Sequence, residues 1–281
     1  MVQQKTQNPG TLDHPQLTGA ILAGGYSRRL GQDKATLPLL GKPLVRWVAE
    51  ALAPMAAECW LITNHPRDHL PLGLPLVTDL WPFQGPAGGL LTALFYARTP
   101  WVLAAAVDNP FLAPELVAEL ARWQPAPAVA AYMAAFKYCV GGRRLRASLY
   151  PPRAVLFRPT MCRYQPDGHT QSLKINGVTA LLAGWIDHDD RKPLSAWFSA
   201  QDRYASLEAR KLLAADDGTL PLQDRLRKWI VPAPFVIFFY TLLIKGLIVE
   251  GWAGWFYVLQ RTLAEIVLSL RLLQQRLDAR A

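Results

Sequence analysis

Apolar and polar residues alternate along the first half of the chain in blocks whose lengths suit strands and helices. Apolar blocks of strand length occupy Leu17–Leu22, 59–62 and 101–107, and helical patterns occupy Leu44–Leu52 and 90–97. Strands that alternate with helices in this way predict a mostly parallel sheet, which binds ligands at the carboxyl ends of its strands. The fold class predicted for this half is α/β.

The block pattern changes near Ala131. A helix is predicted over 114–123, and Pro125 and Pro127 then interrupt the pattern. The next segment, 137–213, is rich in Arg, Tyr and Trp and shows no regular alternation of strands and helices. We therefore predict four parts, which are a disordered lead-in (1–16), a first domain (17–131), a second segment (132–228) and an apolar, helical tail (229–281).

The tail begins with an apolar run over 230–244 that contains Pro232 and Pro234. The run is shorter than the roughly 20 residues that span a bilayer as a helix, and the prolines weaken a simple spanning helix further. Flanking aromatic residues and the basic residues of 225–228 favour a segment that lies in the membrane interface or re-enters it. A buried helical hairpin explains the pattern equally well. The last segment, 261–280, predicts an amphipathic helix, a type that more often packs on its own domain.

Composition limits the classes of partner and of compartment. The chain has 281 residues and a net charge of +9, from 30 Lys and Arg against 21 Asp and Glu, which favours anionic partners or serves general solubility. Its three cysteines form no CxxC pair, so we expect neither a zinc site nor a disulfide scaffold, and a reducing cytosol fits best. We expect neither a secretory signal nor a transmembrane segment in the polar N-terminus. No recognised nucleic-acid-binding module is present, so no nucleic acid partner is expected.

A glycine-rich loop follows the first apolar block. Residues 22–34 read Leu-Ala-Gly-Gly-Tyr-Ser-Arg-Arg-Leu-Gly-Gln-Asp-Lys. Gly24 and Gly25 lack a Cβ, so the backbone can approach a phosphate and direct N–H groups at it. The Ser-Arg-Arg of 27–29 can add hydrogen bonds and charge, and Lys34 is placed to neutralise a triphosphate. The order matches neither GxxxxGK[ST] nor GxGxxG, but it predicts a nucleotide-phosphate-binding loop.

Asp108 follows the apolar block 101–107 directly. An acid at the carboxyl end of a parallel strand faces the ligand crevice. Mg²⁺ is usually held by one or two carboxylates together with substrate phosphates, so we predict that Asp108 binds Mg²⁺. The alternative role for Asp108 is to cap the helix that follows.

Asn64 and Asp79 also occupy predicted strand ends. An Asp side chain can accept hydrogen bonds from two adjacent donors on a guanine edge, whereas Asn can both donate and accept. We predict that both residues recognise a base or a ribose, although each residue type is common in simple turns.

These motifs in series resemble the molybdenum cofactor guanylyltransferase family over about residues 17–131. The residues that carry the resemblance are Leu22-Ala-Gly-Gly25 with Arg28, Gly31, Asp33 and Lys34, then Asn64, then Asp79 with Gly85-Pro86 and Gly88, and then Asp108-Asn-Pro-Phe111. The resemblance implies a nucleotide-diphospho-sugar transferase-like domain that transfers GMP from GTP to a molybdopterin-type cofactor, with Mg²⁺ and release of pyrophosphate. It also implies GTP contacts from Leu22, Ala23, Gly24, Gly25, Lys34, Asn64, Asp79 and Asp108, with Lys34 and Asp108 catalytic.

The second half resembles a different family, the inverting family 2 glycosyltransferases, over about residues 135–281. The residues that carry this resemblance are Arg143–Arg153, 164–171, 188–197 and 201–205, and the apolar tail is similar to the membrane-associated end of those enzymes. In that family an acid acts as general base toward a sugar hydroxyl, which makes Asp167, Asp189 or Asp190 candidates. A loop salt-bridge cluster around His188 and an ordinary hydrogen-bonded His169 are the alternatives.

The sequence therefore predicts a Mg²⁺-dependent guanylyltransferase with a membrane-associating tail, cytoplasmic and placed at the cytoplasmic face of a membrane. Two alternatives stay open: a membrane-associated family 2 glycosyltransferase and an inactive nucleotide-binding fusion.

Overall fold

The computed structural model describes residues 16–24, 33–82, 86–107, 114–167, 170–189, 191–216, 218 and 220–279. Several residues singled out above lie outside this part of the chain, among them Gly25, Arg28, Gly31, Gly85, Asp108, His169 and Asp190, as does the predicted lead-in except for Gln16.

The described residues form α-helices and strands in alternation up to the middle of the chain and mainly helices at its end. The strands are β1 (Leu17–Leu22), β2 (Pro38–Leu39), β3 (Lys42–Pro43), β4 (Glu58–Thr63), β5 (Leu76–Thr78), β6 (Trp101–Ala106), β7 (Val129–Val140), β8 (Arg143–Arg144), β9 (Arg153–Phe157), β10 (Cys162–Asp167), β11 (Thr170–Ile175) and β12 (Val178–Asp189). The helices are α1 (Leu44–Leu52), α2 (Pro66–His69), α3 (Pro86–Tyr96), α4 (Pro114–Ala121), α5 (Leu194–Ala214), α6 (Leu222–Lys228), α7 (Pro232–Phe239) and α8 (Gly251–Asp278).

Backbone contacts divide the chain into two compact units. Unit 1 comprises 1–135, 152–164 and 173–186, and unit 2 comprises 136–151, 165–172 and 187–281. Each unit is described by itself below. The predicted domain boundaries after residues 16, 131 and 228 stay predictions.

A mixed, mostly parallel sheet has the order β12-β7-β9-β6-β1-β4-β5, with β8 beside β7. Strand β1 lies between β4 and β6 and is parallel to both, and β4 is parallel to β5. β1 is buried along almost its whole length, as expected for a parallel strand that is covered on both faces. The predicted α/β class and mostly parallel sheet are confirmed.

Strands beyond residue 131 extend this sheet. β9 runs antiparallel to both β6 and β7, and β12 lies next to β7. The lack of a regular alternation of strands and helices over 137–213 agrees with the described residues, which form successive strands up to β12 and then helix α5, but these strands were not predicted. The sequence pattern missed these strands because β12 has several exposed positions along its length, so it lacks the continuous apolar run of a central strand.

Unit 2 has an apolar core and a buried ionic cluster around Arg227. Helix α8 packs on α5 and α7. Leu212, Ile230 and Leu272 belong to one buried apolar group of the unit. Arg227 donates to Glu265 at 2.7 Å and to Asp224 at 3.0 Å, and both carboxylates are buried. Burial of the Arg227 guanidinium lowers its pKa, but the hydrogen bonds and charge of Glu265 and Asp224 outweigh burial and raise it overall.

The tail is helical, as predicted. Within the described residues, no single helix has both the length and the apolar character needed to cross a bilayer. Two consecutive helical segments, Pro232–Ile244 and Leu247–Asp278, meet these criteria only as a pair, and a bend of 70° separates them. The predicted amphipathic helix over 261–280 is the later part of α8, with Leu268 and Leu272 on its buried face.

Candidate functional site

The candidate site lies at the carboxyl ends of four parallel strands in unit 1. Backbone hydrogen bonds continue the sheet one residue past these ends: Ala23 donates to Ile62 at 2.9 Å, Asp79 to Thr63 at 2.9 Å and Val107 to Leu22 at 3.3 Å. The residues that follow β1, β5 and β6 are thereby held at one edge of the sheet. This is the place where α/β proteins bind their ligands.

Asn64 and Gly24 meet at this edge. The Asn64 side-chain nitrogen Nδ2 donates to the Gly24 carbonyl oxygen at 2.5 Å. This bond assigns the amide orientation, because the carbonyl requires a donor. The other amide atom, Oδ1, is buried and has no hydrogen-bond partner among the described residues. A buried acceptor without a partner costs free energy and suits a ligand donor.

Asp79 is held rigidly beside them. Its side chain is 5% exposed, and Oδ1 accepts from the Thr92 hydroxyl at 2.8 Å and from the Trp81 N–H at 3.0 Å. Thr92 is itself fully buried and accepts from the Leu80 N–H at 2.9 Å. These bonds use one carboxylate oxygen. The described residues provide no hydrogen bond to the second oxygen, Oδ2.

Glycines make room for Asp79. A Cβ on Gly24 would lie 3.1 Å from Asp79 Oδ2, and a Cβ on Gly88 would lie 2.8 Å from the same atom. On Gly88 it would also lie 2.1 Å from the Trp81 carbonyl oxygen, which no backbone can tolerate. Gly88 in helix α3 is therefore required for packing against the segment that carries Asp79.

Leu22 and Ala23 contribute to the candidate site through their backbone. Ala23 is 5% exposed and Leu22 ends β1. The side chain of Leu22 lies under Gly89 of helix α3, since a Cβ on Gly89 would lie 3.2 Å from it. These two residues hold Gly24 in place.

Lys34 begins a short 3₁₀ turn, Lys34–Thr36, that Asp33 caps. The Asp33 side-chain oxygen Oδ1 accepts from the Ala35 N–H at 2.8 Å, and Oδ2 lies 2.7 Å from Nε2 of His69. Burial raises the pKa of Asp33, but the hydrogen bonds from His69 and from the Ala35 N–H outweigh burial, so the pKa lies below its usual value.

Sequence reasoning did not single out His69, Thr92 or a role for Asp33 beyond the motif. Asp33 and His69 are 36 residues apart, so no local spacing connects them. A histidine that is fully buried in a short helix is visible only in the fold.

The described residues contain no group of three His, Cys, Asp or Glu side chains that could hold a metal ion. Mg²⁺ does not require such a group, because phosphates and waters supply most of its ligands. Asp108, the predicted ligand, lies outside the described residues. Val107, the residue before it, donates to the carbonyl of Leu22 at the carboxyl end of β1.

Of the candidate general bases in the second half, Asp189 is engaged within unit 2. Its Oδ2 accepts from the Gly142 N–H at 2.9 Å and from Arg191 at 2.7 Å. The alternative of a loop salt-bridge cluster is thus confirmed for Asp189 and Arg191. The side chain of Asp167 and all of Asp190 lie outside the described part, so their predicted role stays a prediction.

Solved structures with a similar arrangement include two that share 21% sequence identity with this chain. For "Rv0371c from Mycobacterium tuberculosis H37Rv" the TM-score is 0.42, and the likeness covers 64% of this chain and 92% of that one. For the molybdopterin-guanine dinucleotide biosynthesis protein A from Archaeoglobus fulgidus the TM-score is 0.34, with 52% and 68% covered.

Among sequence relatives is the molybdenum cofactor guanylyltransferase of Yersinia pseudotuberculosis serotype O:1b (strain IP 31758). It is 39% identical over 122 residues, which cover 42% of this chain and 62% of the relative. A relative of the same name from Yersinia pestis (strain Pestoides F) gives the same identity and coverage. The chain thus spans less than two thirds of the length of these relatives.

The MobA-like NTP transferase domain matches residues 19–213, which is more than half of the chain and includes every predicted nucleotide contact. The chain therefore belongs to the nucleotidyltransferase family described as the MobA-like NTP transferase domain.

Proposed function

We propose that this chain transfers GMP from GTP to a molybdopterin-type cofactor and releases pyrophosphate. The observation that carries the proposal is the convergence of Gly24, Asn64 and Asp79 at the carboxyl ends of parallel strands, with acceptor atoms still open. The Yersinia relatives, which are named molybdenum cofactor guanylyltransferases, support the nucleotide and the acceptor.

The open atoms favour guanine over adenine. Guanine presents adjacent N–H donors on its N1 and N2 atoms, and it needs acceptors opposite them. Asp79 Oδ2 and Asn64 Oδ1 are acceptors that the described residues leave unused. Adenine offers an acceptor at N1, which a carboxylate oxygen would repel. A site built for hydrogen bonds rejects an analogue that leaves its buried polar groups unpaired.

For the triphosphate, we propose that Lys34 contacts the phosphates and that Asp108 binds Mg²⁺. The glycine at position 24 lets the backbone approach a phosphate, as Gly25 would. Mg²⁺, when bound, neutralises phosphate charge while the α-phosphorus is attacked. Most of the catalysis would then be positioning and charge neutralisation by this chain's own groups.

A transfer assay tests the reaction. Purified protein is incubated with Mg²⁺, GTP labelled at the α-phosphate and a molybdopterin-type acceptor, and pyrophosphate and labelled product are measured. We expect acceptor-dependent pyrophosphate release from GTP, and an Asp79→Asn variant that loses most of its preference for GTP over ATP. No pyrophosphate release from GTP, or nucleoside diphosphate release from a sugar nucleotide instead, would contradict the proposal.

We also propose that the protein acts in the cytoplasm, at the cytoplasmic face of a membrane, through an apolar surface of unit 2. This apolar helix surface consists of large hydrophobic side chains that are more than a third exposed: Phe235, Val236, Phe239, Tyr240, Leu243, Ile244, Ile248, Val249, Trp252, Trp255, Phe256 and Leu259. Soluble monomers rarely expose so many apolar groups together. The three free cysteines fit a reducing compartment.

The charges beside this surface favour anionic lipid over a purely apolar partner. The single acid within 229–259 is Glu250, which is 7% exposed and pairs with Arg146 at 2.6 Å. Arg143, 3.8 Å from the same carboxylate, and Lys245 leave an excess of positive charge. The bend of 70° suits helices that lie in the interface. Arg227 and Lys228, proposed from the sequence as basic flanks, instead bond Glu265 and the Ala215 carbonyl.

Vesicle flotation tests this surface. We expect the protein to float with vesicles of phosphatidylcholine and phosphatidylglycerol, and an Ile244→Gln, Trp252→Gln double variant to stay behind. A Leu270→Gln, Leu273→Gln variant is the matched control, since both leucines are exposed on the same helix outside the surface. Failure of the wild type to float, or self-association that the first variant abolishes, would contradict membrane binding.

A further inference from the structure

A buried histidine–aspartate pair connects the two predicted parts of the nucleotide site. His69 is fully buried, and its Nε2 lies 2.7 Å from Asp33 Oδ2. The other ring nitrogen, Nδ1, has no partner among the described residues. Burying a polar ring is costly without such a bond, so the Asp33 contact explains why His69 is accommodated there. The proposed contacts to GTP make no use of His69.

Asp33 passes this constraint to the two residues that follow Lys34. Its Oδ1 accepts from the Ala35 N–H, and its carbonyl accepts from the Thr36 hydroxyl at 3.1 Å. Ala35 is fully buried. The backbone before and after Lys34 is therefore fixed, while the Lys34 side chain is half-buried and extends from a rigid turn.

His69 is anchored in turn to the strand that carries Asn64. Helix α2 begins two residues after Asn64, and the His65 N–H donates to the hydroxyl of buried Thr63 at 3.0 Å. Gly73, with φ of 61°, ends the following turn in the left-handed region that favours glycine. The segment from Thr63 to Gly73 thus joins the predicted base-binding residue to the turn of the predicted phosphate-binding lysine.

We propose that His69 is a positioning residue, which through Asp33 fixes Lys34 for contact with the phosphates of the nucleotide. This inference rests on the proposed function. His69 touches no substrate itself. Its hydrogen bond orients Asp33, Asp33 holds the turn, and the turn sets where the ammonium group can reach. Preorganisation of this kind removes an ordering cost from nucleotide binding.

A double-mutant cycle on GTP affinity tests the inference. His69→Phe keeps a ring of similar size and removes the hydrogen bond, while His69→Gln keeps an N–H donor close to the position of Nε2. We expect His69→Phe to weaken GTP binding about tenfold and His69→Gln less than about threefold. In the Lys34→Ala background His69→Phe should have no further effect, because the group that His69 positions is absent.

Asp33→Ser is a second variant that tests the same contact in case the His69 variants fail to fold. Serine still caps the turn toward the Ala35 N–H but is too short to reach His69. We expect it to weaken GTP binding as His69→Phe does. A uniform loss in both backgrounds, or wild-type affinity in Asp33→Ser, would overturn the inference and leave the proposed function standing. Unchanged affinity in Lys34→Ala alone would overturn the inference together with the proposed role of Lys34.

Discussion

The two units break the usual rule of apolar interior and polar surface in opposite directions. Unit 1 buries polar side chains of its strand ends and of helices α2 and α3: Thr63, His69, Asp79 and Thr92 are each at most 5% exposed. Unit 2 exposes apolar side chains, with Ile244 75% and Trp252 61% exposed. Buried polar groups and exposed apolar patches are the informative exceptions in a folded protein. In unit 1 these exceptions mark the candidate site, and in unit 2 they mark the surface that we propose binds a membrane.

The same steric device serves both units. A Cβ on Gly88 would lie 2.1 Å from the Trp81 carbonyl oxygen, and a Cβ on Gly254 would lie 2.0 Å from that of Leu247. In unit 1 the close approach fixes the segment with Asp79. In unit 2 it lets the first turns of α8 pack against Leu247–Glu250, next to the bend. The close approach of a glycine to a backbone carbonyl thus supports the candidate site in unit 1 and the apolar helix surface in unit 2.

The largest effect is expected from Gly88→Ala. Overpacking against a backbone carbonyl should lower the free energy of unfolding by about 3 kcal/mol and move Asp79, so GTP binding should also be lost. Urea denaturation and GTP titration measure the two effects. Gly89→Ala is the matched control, because its Cβ would meet only side chains, at 3.2 Å or more. Equal behaviour of the two variants would contradict the packing argument.

Glu265→Gln should act on unit 2 alone. Removing one buried charge leaves Arg227 only Asp224, and we expect a loss of about 2 kcal/mol, less than the ~3–5 kcal/mol for a fully broken buried pair. GTP affinity should not change. Asp202→Asn, whose carboxylate is half-exposed beside Arg271, should cost under ~1 kcal/mol. A fall in GTP affinity in Glu265→Gln would contradict the expectation that this substitution affects unit 2 alone.

Thr92→Val tests the contribution of a buried polar group of unit 1 to stability and to GTP binding. The change keeps the shape but removes the donor to Asp79 and the acceptor for Leu80, which should cost about 1–2 kcal/mol and weaken GTP binding about tenfold. Thr18→Val is the control, since Thr18 is also fully buried and bonds Thr99 at 2.7 Å, near the start of β1. The control should lose stability and keep its GTP affinity; a similar loss of affinity in both would be inconsistent with the assigned site.

The smallest effect concerns the thiols of unit 1. Burial raises the pKa of Cys59 and of Cys162 to about 11. The thiols therefore stabilise the fold below an unfolded-state pKa of about 8.5, and this contribution is lost as the pH rises toward 11. At pH 8.5 we expect iodoacetamide to alkylate both thiols far more slowly in native protein than in urea. Equal rates would show that the interior of unit 1 is open.

The sequence predicted the elements whose physical cause is local. β1 was predicted with its observed bounds, because a central parallel strand is apolar on both faces and forms an unbroken run. Asn64 and Asp79 were placed at strand ends from the sequence, and the register of β4 and β5 beside β1 brings these strand ends to one edge.

Features that depend on distant partners could not be predicted. Asp33 and His69 are 36 residues apart in sequence, and Thr92 donates to Asp79 from helix α3, whereas Asp79 follows strand β5. Strands β7, β9 and β12 escaped detection because they join the sheet by long-range pairing, and β12 also has several exposed positions in place of an apolar run. Gly88 was named from the sequence as part of a motif. The carbonyl oxygen that excludes a side chain at this position is visible only in the fold.

Calorimetric titration with GTP tests the central claim most directly, that the strand ends of unit 1 form a nucleotide site. We predict Mg²⁺-dependent binding that Lys34→Ala and Asp108→Ala each weaken strongly. Lys42→Ala should bind normally, because Lys42 pairs with Glu50 and lies over the Trp47 ring. Absence of GTP binding in the wild type, or equal binding by all three variants, would contradict the account.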